Sequence, residues 1–107
     1  MAAVPEISAR ELDSRLHASG PPVVLDVREP WELAIARLTG TLDIPMSEVP
    51  TRLAELPKDR DIVVMCRSGG RSSNVADYLH RMGYRAANLT GGILAWARDV
   101  DPTLRTY

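Results

Sequence analysis

The sequence contains one cysteine, no long apolar run and no excess of charge of either sign. Its single thiol, Cys66, cannot form an internal disulfide. The first residues, MAAVPEISARELDS, lack the basic and apolar segments of a signal peptide, so we expect a reducing, cytoplasmic location. No apolar stretch is long enough to span a bilayer, and a formal net charge of −1 gives no general attraction to nucleic acid or to an anionic membrane.

The composition is that of an ordinary folded protein. The 107 residues are 45% hydrophobic and 25% charged, and they contain no repeat, linker or low-complexity segment. We therefore expect one domain over residues 1–107, with a core from about residue 5 to about residue 100 and a short C-terminal tail extended over the surface.

Short β-type runs alternate with segments of helical period along the chain. Strands are predicted around Ile7 and at 21–27, 41–45, 61–66 and 86–90, and helices at 8–20, 30–36, 47–56, 72–83 and 93–100. In the helix at 72–83, Val75, Ala76, Leu79 and Met82 are predicted to face the core. Strands that alternate with helices, and that are apolar on both faces, indicate an α/β fold with a parallel sheet covered on both sides.

Three polar or glycine-rich segments follow predicted strands. They are Asp26-Val27-Arg28, the segment that begins at Cys66, and Thr90-Gly91-Gly92. In parallel α/β sheets ligands bind beyond the carboxyl ends of the strands. We therefore predict that these three segments meet at one edge of the sheet and form the functional site, with Gly91 and Gly92 making a tight turn beside the cysteine.

The segment 66–72, CRSGGRS, has the chemistry of an activated thiol. Gly69 and Gly70 allow successive backbone N–H groups to turn toward an anion, and a helix that begins near Ser72 directs its positive end to the same point. Arg67 and Arg71 add positive charge without an acid–base role. Together these groups favour both a thiolate at Cys66 and an anionic substrate beside it. A buried cysteine that only fills space is the weaker interpretation.

With these motifs the chain resembles a single-domain rhodanese, a thiosulfate sulfurtransferase. The resemblance rests on CRSGGRS at 66–72, DVRE at 26–29, WE at 31–32, GTLDIP at 40–45 and GGILAW at 91–96, which cover almost the whole chain. Two segments depart from the family pattern. Ala36-Arg37-Leu38 stands where Gly-His-Ile is common, and Asp43 stands where Asn is common.

The resemblance implies a three-layer α/β/α fold with a five-stranded parallel sheet. It also implies a cycle in which Cys66 takes a sulfane sulfur from thiosulfate, becomes a persulfide, and yields the sulfur to cyanide or a thiol. Arg67, Ser68, Gly69, Gly70, Arg71 and Ser72 would then bind the substrate. Asp26 and Arg28 would form an ion pair that supports the site. No cofactor is implied, and a sulfur-relay protein is a further candidate partner.

Other functions remain open at this point. Cysteine phosphatases and arsenate reductases of similar fold place five residues between Cys and Arg, whereas only four separate Cys66 from Arg71. A regulatory binding module or a sulfur-relay carrier would use the same fold. His17 and His80 are predicted to be structural or to face solvent, away from the strand ends, so neither a Cys–His pair nor a metal site is indicated.

Overall fold

The computed structural model describes residues 4–107, and within them strands and helices alternate along the chain. The strands are β1 (Glu6–Ile7), β2 (Val23–Asp26), β3 (Leu42–Asp43), β4 (Asp61–Met65) and β5 (Arg85–Leu89). The helices are α1 (Ala9–Leu16), α2 (Pro30–Ile35), α3 (Gly70–Arg81) and α4 (Gly92–Asp99). Two short 3₁₀ helices, Met46–Thr51 and Leu53–Glu55, precede β4. Within residues 4–107, no helix is both long enough and apolar enough to cross a membrane.

The five strands form one parallel sheet in the order β1-β5-β4-β2-β3, which confirms the predicted fold class. Strand β4 lies at the centre, and its alternate residues enter two separate cores. Ile62 and Val64 pack with α3 and the 3₁₀ segment, whereas Val63 and Met65 pack with α1 and α4. Because successive side chains of a strand point to opposite faces, the sheet is covered on both sides, as the apolar strand sequences predicted.

One predicted helix is wrong in type. Residues 47–56 were expected to form an α-helix, but they form the two 3₁₀ helices. Pro50 lies inside the first of them, and a proline in a helix interior removes one backbone donor and clashes with the preceding turn. Val49 and Leu56 are nevertheless buried in the core, so the apolar spacing was correct while the helix type was not.

Two further expectations are corrected by packing. Met82, predicted to face the core, is 45% exposed, because α3 ends at Arg81 and Met82 is its capping residue. The C-terminal tail does not simply extend over the surface. Leu104 and Tyr107 pack against the core on the α1–α4 side, and the Tyr107 hydroxyl donates to a carboxylate of α2.

Candidate active site

The loop that joins β4 to α3 holds Cys66 at the carboxyl end of the central strand. Cys66 is 1% exposed, and its Sγ accepts hydrogen bonds from the Gly69 backbone N–H at 3.1 Å and from the Ser72 hydroxyl at 3.3 Å. Gly69 adopts a φ of +108°, a left-handed conformation that turns its N–H back toward the sulfur and starts α3. Backbone and hydroxyl donors thus surround the thiol as predicted, whereas the guanidinium groups of Arg67 and Arg71 donate to Tyr107 and Glu32 and not to the sulfur.

Two opposing effects act on the Cys66 thiol. Burial raises its pKa, whereas hydrogen bonds from the Ser72 hydroxyl and from the backbone N–H groups of Ser72, Gly69 and Ser68 lower it. The hydrogen bonds outweigh burial, so the pKa of Cys66 lies below its ordinary value. A larger share of the sulfur is therefore thiolate near neutral pH, and the thiolate is the nucleophilic form of cysteine.

The turn between β5 and α4, together with the first residues of α4, holds the backbone carbonyl groups of the same loop. The backbone N–H groups of Ile93 and Leu94 donate to the carbonyl oxygens of Cys66 and Arg67, at 2.9 and 3.2 Å. Gly92 has a φ of +57°, and a Cβ there would lie 2.5 Å from both of those oxygens. The tight turn predicted at Gly91 and Gly92 is confirmed, and the close approach of two backbone segments explains the glycine at 92.

Asp26 and Arg28 form a fully buried ion pair. Both side chains are 0% exposed, and the Arg28 guanidinium donates to both Asp26 oxygens at 2.8–3.1 Å. The remaining Arg28 donors reach the Ala36 carbonyl, the Glu32 carbonyl and the Tyr107 hydroxyl. Through the carbonyl oxygens of Glu32 and Ala36, Arg28 ties the body and the end of α2 to the end of β2. These contacts are those of an internal support rather than of a solvated surface pair.

Arg71 is held by a residue that sequence reasoning did not select. Its two terminal nitrogens donate to the two oxygens of Glu32 at 2.6 and 2.8 Å, and Glu32 is 2% exposed. The Arg71 hydrogen bonds, with help from the Tyr107 hydroxyl and the Glu29 N–H, lower the pKa of Glu32 to about 2 against the cost of burial. Glu32 lies 39 residues before Arg71, so no local spacing connects the two in the sequence.

Two more residues enter the site from outside the predicted set. Asn88 on β5 accepts a hydrogen bond from the Ser72 hydroxyl at 2.6 Å and donates to the Gly69 carbonyl at 3.2 Å. Tyr107 accepts a hydrogen bond at its carbonyl from Arg67, whose guanidinium lies 5.1 Å from the centre of the Tyr107 ring. Arg67 and Ser68 are exposed, and Gly70 begins α3.

The two segments that depart from the family pattern contact each other through one residue of each. Arg37 and Asp43 form an ion pair, and Thr41 donates to the second Asp43 oxygen at 2.7 Å. An asparagine at position 43 would carry no charge and could not form this ion pair. Neither residue belongs to the group that surrounds Cys66.

The geometry defines a parallel α/β domain with an activated cysteine at the carboxyl edge of its central strand. The sequence profile of the rhodanese-like domain matches residues 8–99. A protein of Allochromatium vinosum named sulfurtransferase is 45% identical over 100 residues, which are 92% of this chain and 94% of that protein. The chain therefore belongs to the rhodanese-like domain family.

Solved structures and longer relatives agree with this assignment. The rhodanese-like domain protein from Staphylococcus aureus superimposes with a TM-score of 0.84 at 32% identity, covering 96% of this chain and 98% of that one. An Arabidopsis thaliana protein named adenylyltransferase and sulfurtransferase MOCS3 is 31% identical over 118 residues, which cover 94% of this chain and 25% of that protein. The domain thus occurs both alone and as one part of larger proteins.

Proposed function

We propose that the protein is a sulfurtransferase in which Cys66 carries a sulfane sulfur. The thiolate takes the sulfur from thiosulfate or another persulfide donor and passes it to a thiophilic acceptor such as cyanide or a thiol. The observation that carries this proposal is the set of donors around Sγ, from the N–H groups of Ser68, Gly69 and Ser72 and from the Ser72 hydroxyl. Such donors stabilise a thiolate and also the terminal sulfur anion of a persulfide.

The cycle has two displacements at sulfur. In the first, the Cys66 thiolate attacks the outer sulfur of thiosulfate, the new S–S bond forms, and sulfite leaves with the electron pair of the broken bond. In the second, the acceptor attacks the outer sulfur of the persulfide, and the electron pair of the Cys66–sulfur bond returns to Sγ as thiolate. No second cysteine exists in the chain, so the sulfur passes to another molecule and not to an internal disulfide.

The contacts of the cysteine loop favour transfer of a sulfur atom over transfer of a phosphoryl group. A cysteine phosphatase needs an arginine whose guanidinium is free to grip a tetrahedral oxyanion in a bidentate manner. Here both terminal nitrogens of Arg71 are bonded to Glu32, and Cys66 is only 1% exposed. A single terminal sulfur atom needs far less room at Sγ than a phosphate does.

A relay partner is part of the proposal. Two relatives support it: the Arabidopsis protein named adenylyltransferase and sulfurtransferase MOCS3, of which this chain covers 25%, and a Bacillus subtilis protein named putative sulfur carrier protein YrkF, which is 31% identical over 99 residues. We therefore include a sulfur-relay protein among the acceptors, together with small thiols. We place the reaction in the cytoplasm, where a reducing environment keeps a single thiol free.

Intact-mass measurement tests the proposal directly. After incubation with thiosulfate the protein is expected to gain the mass of one sulfur atom, and cyanide is expected to restore the original mass with release of thiocyanate. Cys66→Ser should gain nothing while keeping the same thermal transition. If the protein gains no sulfur from thiosulfate or from glutathione persulfide, and instead hydrolyses an aryl phosphate in a Cys66-dependent manner, the phosphatase alternative replaces this proposal.

A further inference from the structure

The Ser72 hydroxyl lies between two acceptors but has only one proton to donate. Its oxygen is 2.6 Å from Asn88 Oδ1 and 3.3 Å from Cys66 Sγ. Ser72 is 0% exposed and Asn88 is 4% exposed, so water does not supply a substitute donor. Because a hydroxyl has one proton and two lone pairs, the sulfur and the amide oxygen compete for the same hydrogen.

The orientation of the Asn88 amide is fixed by its other contacts. Its Nδ2 group faces the Gly69 carbonyl oxygen at 3.2 Å and the two Glu6 carboxylate oxygens at 3.2 and 3.3 Å. All of these are acceptors, so the amide nitrogen must face them and Oδ1 must face Ser72. Oδ1 has no proton, so the 2.6 Å contact is a hydrogen bond only while Ser72 directs its proton to Asn88.

The direction of the Ser72 proton then depends on the state of the sulfur. When Cys66 is a thiol, Ser72 donates to Asn88 and its lone pairs face the S–H group, which donates to Oγ. When Cys66 is a thiolate, the anion is the stronger acceptor, and rotation about the Cβ–Oγ bond turns the proton toward Sγ. This rotation costs the hydrogen bond to Asn88.

We propose that Asn88 is a positioning residue that sets the reactivity of Cys66 by competing with the sulfur for the Ser72 proton. The proposal rests on the proposed function, in which Cys66 is first a nucleophile and then a leaving group. Because Ser72 gives up its hydrogen bond to Asn88 when it turns toward the sulfur, the thiolate is stabilised less than it would be without Asn88, and it attacks the donor faster. When the acceptor cleaves the persulfide, the proton turns to Sγ and stabilises the departing thiolate. The proton stays bonded to Oγ throughout, so no proton is gained or lost.

Other charged side chains lie near the loop, and one of them, Arg71, interacts electrostatically with Cys66. The set is Glu6, Asp26, Arg28, Glu32, Arg67 and Arg71. Four of them are paired as Asp26–Arg28 and Glu32–Arg71, Glu6 faces the Asn88 amide, and Arg67 bonds to the Tyr107 carbonyl. None of them contacts the Ser72 hydroxyl, so the effect of that hydroxyl on Cys66 can be measured separately from their electrostatic effects.

The pH profile of Cys66 alkylation by iodoacetamide provides the test. Asn88→Leu frees the Ser72 proton for the sulfur, so the midpoint should move to lower pH. Below the wild-type midpoint the alkylation rate should rise about threefold, and above it the rate should fall by a similar factor, because a more stabilised thiolate is a weaker nucleophile. Ser72→Ala should move the midpoint upward, and adding Asn88→Leu to Ser72→Ala should change it no further.

Asn74→Leu, at the only other asparagine of the chain and exposed on α3, is the matched control and should leave the profile unchanged. If Asn88→Leu does not fold, NMR of the wild-type protein provides the test instead. The side-chain amide signals of Asn88 in ¹⁵N NMR should titrate with Cys66 and should stop doing so in Ser72→Ala. Unchanged midpoints in Asn88→Leu, or additive effects in the double variant, would overturn the proposal. Because alkylation needs no sulfur donor, these results are independent of whether a persulfide forms.

Discussion

The charge of Arg71 acts on two anions at once. Its guanidinium is bonded to the Glu32 carboxylate, and the negative charge of the Cys66 thiolate raises the pKa of Arg71 further, although less than the Glu32 hydrogen bonds do. Arg67 points elsewhere, to the carbonyl and ring of Tyr107, and is exposed. The two arginines of the loop are therefore not equivalent, and the position of Arg71 nearer the start of the helix already favoured it over Arg67 in the sequence.

We expect Arg71→Ala to reduce kcat/KM for thiosulfate by about tenfold to a hundredfold, since it removes a charge beside the sulfur and leaves Glu32 buried without its partner. Arg67→Ala should reduce it by less than about threefold, as is usual for an exposed charge. Arg71→Lys should fall between, because it keeps the charge and loses the bidentate contact. Steady-state kinetics of thiocyanate formation measure all three variants. An equal or larger loss in Arg67→Ala would contradict this assignment.

At the scale of elements, the cysteine loop is held from behind by the start of α4. If α4 moved, the carbonyl oxygens of Cys66 and Arg67 would lose the hydrogen bonds from the first turn of that helix. The N–H groups of Ser68 and Gly69 would then no longer point toward the sulfur. Gly92 makes this contact possible, because any side chain there meets backbone atoms that cannot rotate away. The geometry of the cysteine loop therefore depends on the packing of α4 against it.

Gly92→Ala is expected to lower the free energy of unfolding by about 2–5 kcal/mol, from the strain of a positive φ together with the clash of its Cβ. Sulfur transfer should fall with it, because the Cys66 and Arg67 carbonyls must shift. Gly40→Ala is the matched control, since Gly40 has a φ of +79° but nothing within 4 Å of its Cβ position. It should cost only about 1–2 kcal/mol and leave activity intact. Chemical denaturation of both variants checks the difference, and equal losses would show that the clash is relieved without cost.

At the scale of the whole molecule, features formed by residues adjacent in the chain could be predicted from the sequence, whereas contacts between distant residues could not. The strand that ends at Met65, the glycines that follow Cys66 and the helix behind them are adjacent in the chain, and their spacing predicted the cradle around the thiol. Glu32, Asn88 and Tyr107 enter the site through pairings of 39, 16 and 75 residues' separation. Such pairings depend on strand order and on where the tail packs, which no periodicity encodes.

One of these non-local pairs, Glu32–Arg71, should make the stability of the whole fold depend on pH. The pKa of Glu32 is about 2 in the folded protein against an ordinary value of 4.5. A carboxyl group with a lowered folded pKa stabilises the fold fully above its unfolded pKa, and this contribution is lost as the pH falls toward the folded value. With Glu32 buried and Arg71 about one-third exposed, the loss between pH 5 and pH 2 is on the order of 2–3 kcal/mol.

Urea denaturation between pH 7 and pH 2.5 measures this contribution. Glu32→Gln should be less stable than the wild type at pH 7, and the difference should shrink as the pH falls below about 4.5, because the Glu32 carboxylate of the unfolded chain takes up a proton there while that of the folded protein stays ionised down to about pH 2. Glu55→Gln is the matched control. The pKa of Glu55 is also lowered, by Arg52, but this pair is exposed and screened by solvent, so its removal should leave the pH dependence almost unchanged. If the wild type and Glu32→Gln lose stability in parallel across this range, the Arg71–Glu32 pair does not link the active-site loop to the stability of the fold.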